Sequence, residues 1–202
     1  SLRIPKVLAI IVTGSSVAFS TIIFQTVTNN RILTPSIMGL DSLYLLIQSL
    51  AIYIFGSASR LVTNPILNFS VVVIAMTTFA VLLYNMLFRR EDGDLMFLLL
   101  VGLIMGTLFD SGASFIQMVI DPNEFTMLQN RMFASFNNVN INILWIAGAI
   151  LVVTVVAAAR NMHILDVLAL GREHAVNLGV AYDLIVRRML IVVAILVSVS
   201  TG

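Results

Sequence analysis

The sequence predicts an all-α, polytopic transmembrane helical bundle, and three observations carry that expectation. Of 202 residues, 59% are hydrophobic and 10% charged, with a mean hydropathy of +1.04. Water-soluble domains carry about 25% charged residues, so a globule of this size could not cover so apolar an interior. The apolar residues gather in long runs, close to the ~20 residues that cross a bilayer as a helix. Nearly all charges fall between those runs. The formal charge of +1 gives no footing for nucleic-acid binding. With no cysteine there is no disulfide framework, thiolate metal site or cysteine nucleophile. Only His163 and His174 remain for imidazole chemistry, and neither a cofactor nor a resident metal is expected.

Six spans follow in order. Residues 7–27 carry no charge, and Gly14, Ser15, Ser16 and Ser20 suit close helix contact. Residues 43–55 make a short second span behind Asp41. The third, 65–88, opens with Asn64-Pro65, a cap and a first-turn proline whose missing N–H costs little there. The fourth, 95–120, holds one charge, Asp110, and the fifth covers 141–159. The sixth begins near 184, but its uncharged run from Met189 spans only roughly 21 Å as a helix, short of the ~30 Å hydrocarbon core. The expectation is one transmembrane domain over 1–202, partial, with its last span cut and a cytoplasmic segment at about 161–183. A signal peptide at 3–20 is disfavoured, because no small-residue cleavage site follows it.

Alternation of the connections puts Arg31, Arg89, Arg90, Arg160, Arg172, Arg187 and Arg188 on one side. Arg3, Lys6, Arg60 and Arg131 fall on the other. The positive-inside rule assigns the first group to the cytoplasm. Within the 161–183 segment, residues 173–178 suit a brief helix stopped by Gly179, with Leu168, Leu170, Ala175 and Leu178 as apolar contacts. An ordinary interhelical loop fits the same spacing.

Leu168-Ala169-Leu170-Gly171, then Ala175 and Leu178-Gly179-Val180, resembles the LALG-x-x-x-A-x-x-LG signature of permeases of the iron-siderophore and cobalamin ABC importer family. Gln25, Asn30, Pro35 and Gly39 resemble that family's Q-x4-N-P-L-A-x-P-x3-G block, with Arg31 in place of its proline and Ile32-Leu33 in place of Leu-Ala. The opening Leu2-Arg3-Ile4-Pro5-Lys6 is similar to its "LRLPR", and residues 121–145 to its external helix. The wording NNRILTPSIMGLDSLY is closest to the ferric siderophore subgroup of anguibactin and petrobactin type. The resemblance covers essentially the whole chain and matches the second to seventh of ten helices.

It implies a type II ABC importer permease fold and several roles. Residues 165–181 would be the coupling segment that docks on a dimer of ATP-binding subunits, through Leu168, Leu170, Gly171, Arg172, Glu173, Ala175, Leu178 and Gly179. Arg172 departs from the acidic residue usual after the first glycine. Asp at Ala175 or Leu178 would uncouple hydrolysis from uptake. Asn30 and Ile32 would form a cytoplasmic constriction, with Leu95 and Met96 at a second. Arg3 and Lys6 would meet acidic residues of an extracytoplasmic substrate-binding protein. The cargo would be a ferric siderophore, with heme or cobalamin as the alternative, and a second permease chain, identical or paralogous, would complete the pathway in the lipid bilayer.

No G-x4-G-K-[ST], H-E-x-x-H or G-x-S-x-G motif is present, so ATP hydrolysis is expected on a partner. An acid inside a span is costly and faces a cavity or a partner. Asp110 therefore either lines the route, with Ser111, Ser114 and Gln117, or pairs with a polar group on a neighbouring helix. Gln25 is a further candidate for pathway lining. Interhelical hydrogen bonding is the simpler reading of Gln25, Gln48 and Asn85. A secondary transporter coupled through Asp110, or a membrane subunit with no pathway, would share this composition.

Overall fold

The computed structural model describes residues 3–87, 95–132, 140–160 and 162–202, and every regular element among them is helical. Of the positions and segments singled out above, Leu2, Arg89, Arg90 and residues 88, 133–139 and 161 lie outside the described residues, as do the side chains of Leu95 and Arg131. The long helices are α1 (Arg3–Val27), α2 (Leu40–Phe55), α4 (Pro65–Leu87), α5 (Leu95–Val119), α7 (Ile141–Ala159) and α10 (Tyr182–Thr201). Between them lie α3 (Arg60–Thr63), α6 (Pro122–Met132), α8 (Met162–Leu168), α9 (Arg172–Asn177) and a 3₁₀ turn at Pro35–Met38. Five of the long helices are long and apolar enough to cross a bilayer, which makes this a multi-pass membrane protein; α2, at 16 residues, is shorter.

Local chemistry sets the boundaries. Asn64 Oδ1 accepts the N–H groups of Ile66 and Leu67 at 3.1 and 3.3 Å, which caps α4 ahead of Pro65. Asn140 does the same for α7, taking the N–H groups of Asn142 and Ile143. At α10 the helix starts seven residues before the uncharged run from Met189 and reaches 20 residues. It can do so because Arg187 and Arg188 are exposed, their charged heads outside the packed face.

α10 is the centre of the bundle: 56% of its span is buried, against 17–28% in the other four. It packs along α1 most extensively, then along α4 and α7. Val186, Leu190, Val193 and Ala194 meet Phe24 and Val27 of α1 and Met76 of α4 in one core.

The second close pair is α2 with α5. A Cβ on Gly39 would lie 2.5 Å from the Gly106 Cα, and one on Gly102 would lie 2.9 Å from the Met38 Cα. Backbones approach this closely only across glycine, the use that a G-x-x-x-G pair serves between helices in lipid. Higher along the same contact, Gln117 Nε2 donates to Ser49 Oγ at 3.3 Å. Where α2 and α5 end, Ile52, Val62, Ile120 and Leu128 form a separate apolar knot. Beside it, Glu124 of α6 accepts the Ser57 N–H at 3.1 Å. One end of the bundle thus carries α3, α6 and the start of α1. The other carries the end of α1, the 3₁₀ turn and the α8–α9 segment.

Candidate functional site: a clipped foot beside a bent connection

Residues 162–181 fold as two short helices at right of sequence from α7, and glycine backbone fixes both turns. Gly171 stands at φ +97 between α8 and α9, and Gly179 at φ +81 after α9. These values lie in the region that side chains with a Cβ avoid. After α9 the Gly179 N–H donates to the Val176 carbonyl at 2.9 Å, and the Val180 N–H to the Ala175 carbonyl at 3.0 Å. That pair of bonds is a Schellman termination.

The apolar residues of the motif divide into two sets. Leu168 and Ala175 are buried in the main core with Tyr182, Ile185 and Val186. Leu170 and Leu178 are 59% and 64% exposed, and Val176 is also exposed. The inner set attaches the foot to the bundle, and the outer set forms an oily surface. Asp would enter different surroundings at Ala175 and at Leu178. At Ala175 the carboxylate would enter the core; at Leu178 it would meet solvent or a partner.

The charges divide too. Arg172 Nη2 lies 3.8 Å from Asp183 Oδ1, and its guanidinium stands 5.9 Å from the centre of the Tyr182 ring. Both partners belong to the first turn of α10, so Arg172 reaches back within the chain. Glu173, next in sequence, is exposed and has no partner among the described residues.

Alongside the foot lies the bend after α1. Asn29 adopts φ +48, the only described non-glycine with positive φ. Its N–H donates to the Thr26 carbonyl and the Asn30 N–H to the Gln25 carbonyl, a second Schellman termination with asparagine at the left-handed position. Gln25 Nε2 then spans the bend to the Arg31 carbonyl at 2.7 Å, so its amide braces this turn. Asn30 Oδ1 accepts the Ile32 N–H at 3.0 Å, and Ile32 is left 88% exposed. A Cβ on Gly171 would sit 4.0 Å from Asn29 Nδ2, so bend and foot are neighbours. Leu95 begins α5, and Met96 is exposed.

Asp110 is exposed and has no partner among the described residues. Ser114 and Ser111 are exposed on the same helix, and Ser111 Oγ donates to its own helix at the Thr107 carbonyl. Gln48 is satisfied between helices: it exchanges hydrogen bonds with Asn68 of α4 at 2.8 and 3.3 Å. Asn85 Oδ1 is buried with no described partner. Arg3, exposed, and Lys6, half-buried, lie in the first turns of α1, at the end away from the foot.

Two features escaped the reading of the sequence. The Gly102–Gly106 pair had a visible signal in its four-residue spacing. A cavity of about 550 Å³ with a mixed lining, between α1, the bend, α2 and α10, had none. Ser20, Thr21, Ser36, Asp41 and Thr201 line it, with Thr201 donating to Asp41 at 3.4 Å.

The sequence profile described as the FecCD transport family matches residues 1–202. The chain is 58% identical over 200 residues to the petrobactin import system permease protein YclO of Bacillus subtilis (strain 168), covering 99% of this chain and 64% of that one. It is 36% identical to the petrobactin import system permease protein FatC of Bacillus anthracis, covering 99% and 56%. Its fold superposes with a TM-score of 0.82 on a solved chain described as a metal-chelate type ABC transporter in an inward-facing conformation, at 21% identity and covering 99% and 62%. The chain therefore spans less than two thirds of the length of these relatives. Over its whole length, the chain belongs to the FecCD transport family.

Proposed function

We propose that this chain is the membrane-embedded body of a permease subunit in a binding-protein-dependent ABC importer, moving a ferric siderophore of petrobactin type inward across the cytoplasmic membrane. One observation carries the reading. In a chain 58% identical to a petrobactin import permease, the LALG…LG foot is folded with Leu170 and Leu178 turned outward and Leu168 held in the core. A dimer of ATP-binding subunits supplies the energy, and a second permease chain, identical or paralogous, closes the pathway.

The foot is the mechanical input in this reading. Leu170, Glu173 and Leu178 meet the ATPase, while Leu168 and Ala175 pass its displacement into the core around α10. Gly171 and Gly179 fix the geometry of the two turns. A transporter of this kind needs an element with two arrangements that nucleotide and loaded carrier bias differently. The bend is suited to be that element: Asn30 and Ile32 narrow the cytoplasmic mouth beside the foot, with Leu95 and Met96 as a second constriction. Gln25 shapes the bend through its bond to Arg31. Arg3 and Lys6 face the substrate-binding protein at the far end, where rim charges set registry and association rate. Asp110 and Ser114 line the route. The chelator holds the iron, so this chain contributes no metal ligand.

The test is reconstitution of the full-length complex in liposomes, with ATP hydrolysis and uptake measured against ferric petrobactin, a ferric hydroxamate, hemin and cobalamin. Selective stimulation by the ferric catecholate-type chelate is expected, and stimulation by hemin or cobalamin alone would reassign the cargo. One observation favours a second reading. Asp110, exposed on a membrane-length helix and without a partner among the described residues, suits an ion-coupled transporter. Uptake that needs the proton or sodium gradient and ignores ATP would establish that alternative.

A further inference from the structure

The family signature places an acid directly after the first glycine of the foot; here the order is Arg172 and then Glu173. A basic side chain in the first turn of a helix opposes the positive end of the helix dipole, whereas Glu173 in that turn complements it. Arg172 is not left facing outward in compensation. Its guanidinium folds back over Tyr182, itself buried, and points at Asp183. Those two residues open α10, the helix at the centre of the bundle. Neither contact is strong. The ion pair is 47% and 58% exposed and 3.8 Å long, and such pairs contribute about 0–1 kcal/mol. Their effect is one of direction: a long cation that would otherwise lie among Leu170, Val176 and Leu178 is drawn to the side of the foot that faces its own chain.

Glu173 is in the opposite situation. It is exposed, beside the outward leucines, and unpartnered among the described residues. A carboxylate amid an oily surface is poorly suited to bare solvent exposure of its neighbours but well suited to an interface whose apolar centre is ringed by one placed charge.

Resting on the importer reading above, we propose that the two charges that open α9 are divided between two partners: Arg172 clamps the foot to the start of α10, and Glu173 is read by the ATP-binding subunit. The surface that receives the foot then has defined chemistry. It is an apolar cleft for Leu170, Val176 and Leu178, with a lysine or arginine at its edge opposite Glu173. It does not carry an acid opposite Arg172. Arg172 is a positioning residue.

The experiment titrates the cognate ATP-binding subunit, labelled with a fluorophore, into the full-length permease held in nanodiscs, at 50 and 300 mM salt. Glu173→Gln is expected to weaken binding about tenfold at low salt and to flatten the salt dependence, since an exposed charge contact is the part that screening removes. Arg172→Gln is expected to change the affinity less than threefold and to keep the wild-type salt dependence. Its effect falls instead on transmission, as a lower ratio of chelate transported to ATP hydrolysed, and Arg172→Lys restores part of that ratio. Equal losses of affinity in the two variants, or a salt dependence flattened by Arg172→Gln, overturn the division of charges while leaving the importer reading intact. A wild-type permease that fails to bind the ATP-binding subunit overturns both. Both side chains are exposed, so neither variant threatens the fold.

Discussion

The seam between α2 and α5 and the foot between α7 and α10 both depend on glycine, for opposite reasons. At the seam, glycine supplies missing volume. Cβ atoms on Gly39, Gly102 and Gly106 would come within 2.5–3.0 Å of backbone carbon on the facing element. At the foot, glycine supplies conformation. Gly179 has φ +81 and nothing within 4 Å of an added Cβ. The seam is therefore fixed by packing and the foot by dihedral angle, so the first holds two helices as one body while the second shapes a surface that remains open to a partner. The two regions should respond to substitution in ways that separate these causes.

Ala175→Asp gives the largest expected effect and limits how open the foot is. Ala175 is fully buried, in the core with Leu168 and Tyr182. A carboxylate there has no counter-ion and must be protonated or expel its surroundings, costing on the order of 4 kcal/mol. Loss of monodisperse, folded protein in detergent is expected. Leu178→Asp, at an exposed site, should leave the thermal unfolding midpoint within a degree or two and abolish ATPase coupling. If both variants fold equally well, the division into inner and outer residues is wrong.

Gly39→Ala comes next. The added methyl meets the Gly106 Cα at 2.5 Å, and the backbone at φ +70 disfavours any Cβ. Overpacking and left-handed strain together suggest a loss of about 3 kcal/mol. Gly106→Ala meets the Gly39 Cα at 3.0 Å without the φ penalty, so its loss should be smaller. Thermal unfolding of the two variants separates volume from conformation at one contact.

The sequence made some of this contrast legible and hid the rest. Spans came through because composition and charge placement are local: the fifth is read as 141–159 and α7 is Ile141–Ala159. The sixth, expected from near 184, opens at Tyr182, and its charges fit a helix because Arg187 and Arg188 sit on its open side, which the sequence does not show. Within the foot, Gly171 and Gly179 marked both turns, yet Leu168, Leu170, Ala175 and Leu178 looked alike. Only tertiary packing decides which of four apolar residues turns inward. The same holds for Gln25 and Gln48, two amides of one type. One spans a bend to a carbonyl six residues on, and the other bridges two helices. Asp110 gave a sequence signal and no assignment, because a partner beyond this chain leaves no trace in its own residues.

Gln48→Leu sharpens the comparison from the α2 side. Gln48 and Asn68 exchange two hydrogen bonds between α2 and α4, and Gln48 is almost fully buried. Interhelical bonds of this kind in membranes contribute about 0.6–2 kcal/mol. The leucine variant should lose about 1 kcal/mol, less than Gly39→Ala, and Asn68→Leu on top of it should recover part of the loss by removing the stranded amide. A Gln48→Leu loss as large as that of Gly39→Ala would mean that polar pairing, not close approach, holds α2 in place.

The smallest effect is expected at Gly179, where the cause is purely conformational. Alanine there meets no atom, so any loss comes from holding a Cβ in the left-handed region, about 1 kcal/mol. Asparagine tolerates that region and already occupies the equivalent place at the end of α1, where Asn29 closes the helix with the same pair of bonds. Gly179→Asn should thus cost a few tenths of a kcal/mol at most and keep the binding of the ATP-binding subunit near wild type. If Gly179→Asn instead breaks coupling as thoroughly as Leu178→Asp while unfolding normally, the open space over Gly179 is not open in the assembly. The partner's backbone then lies against it, and the foot shares the seam's dependence on missing volume.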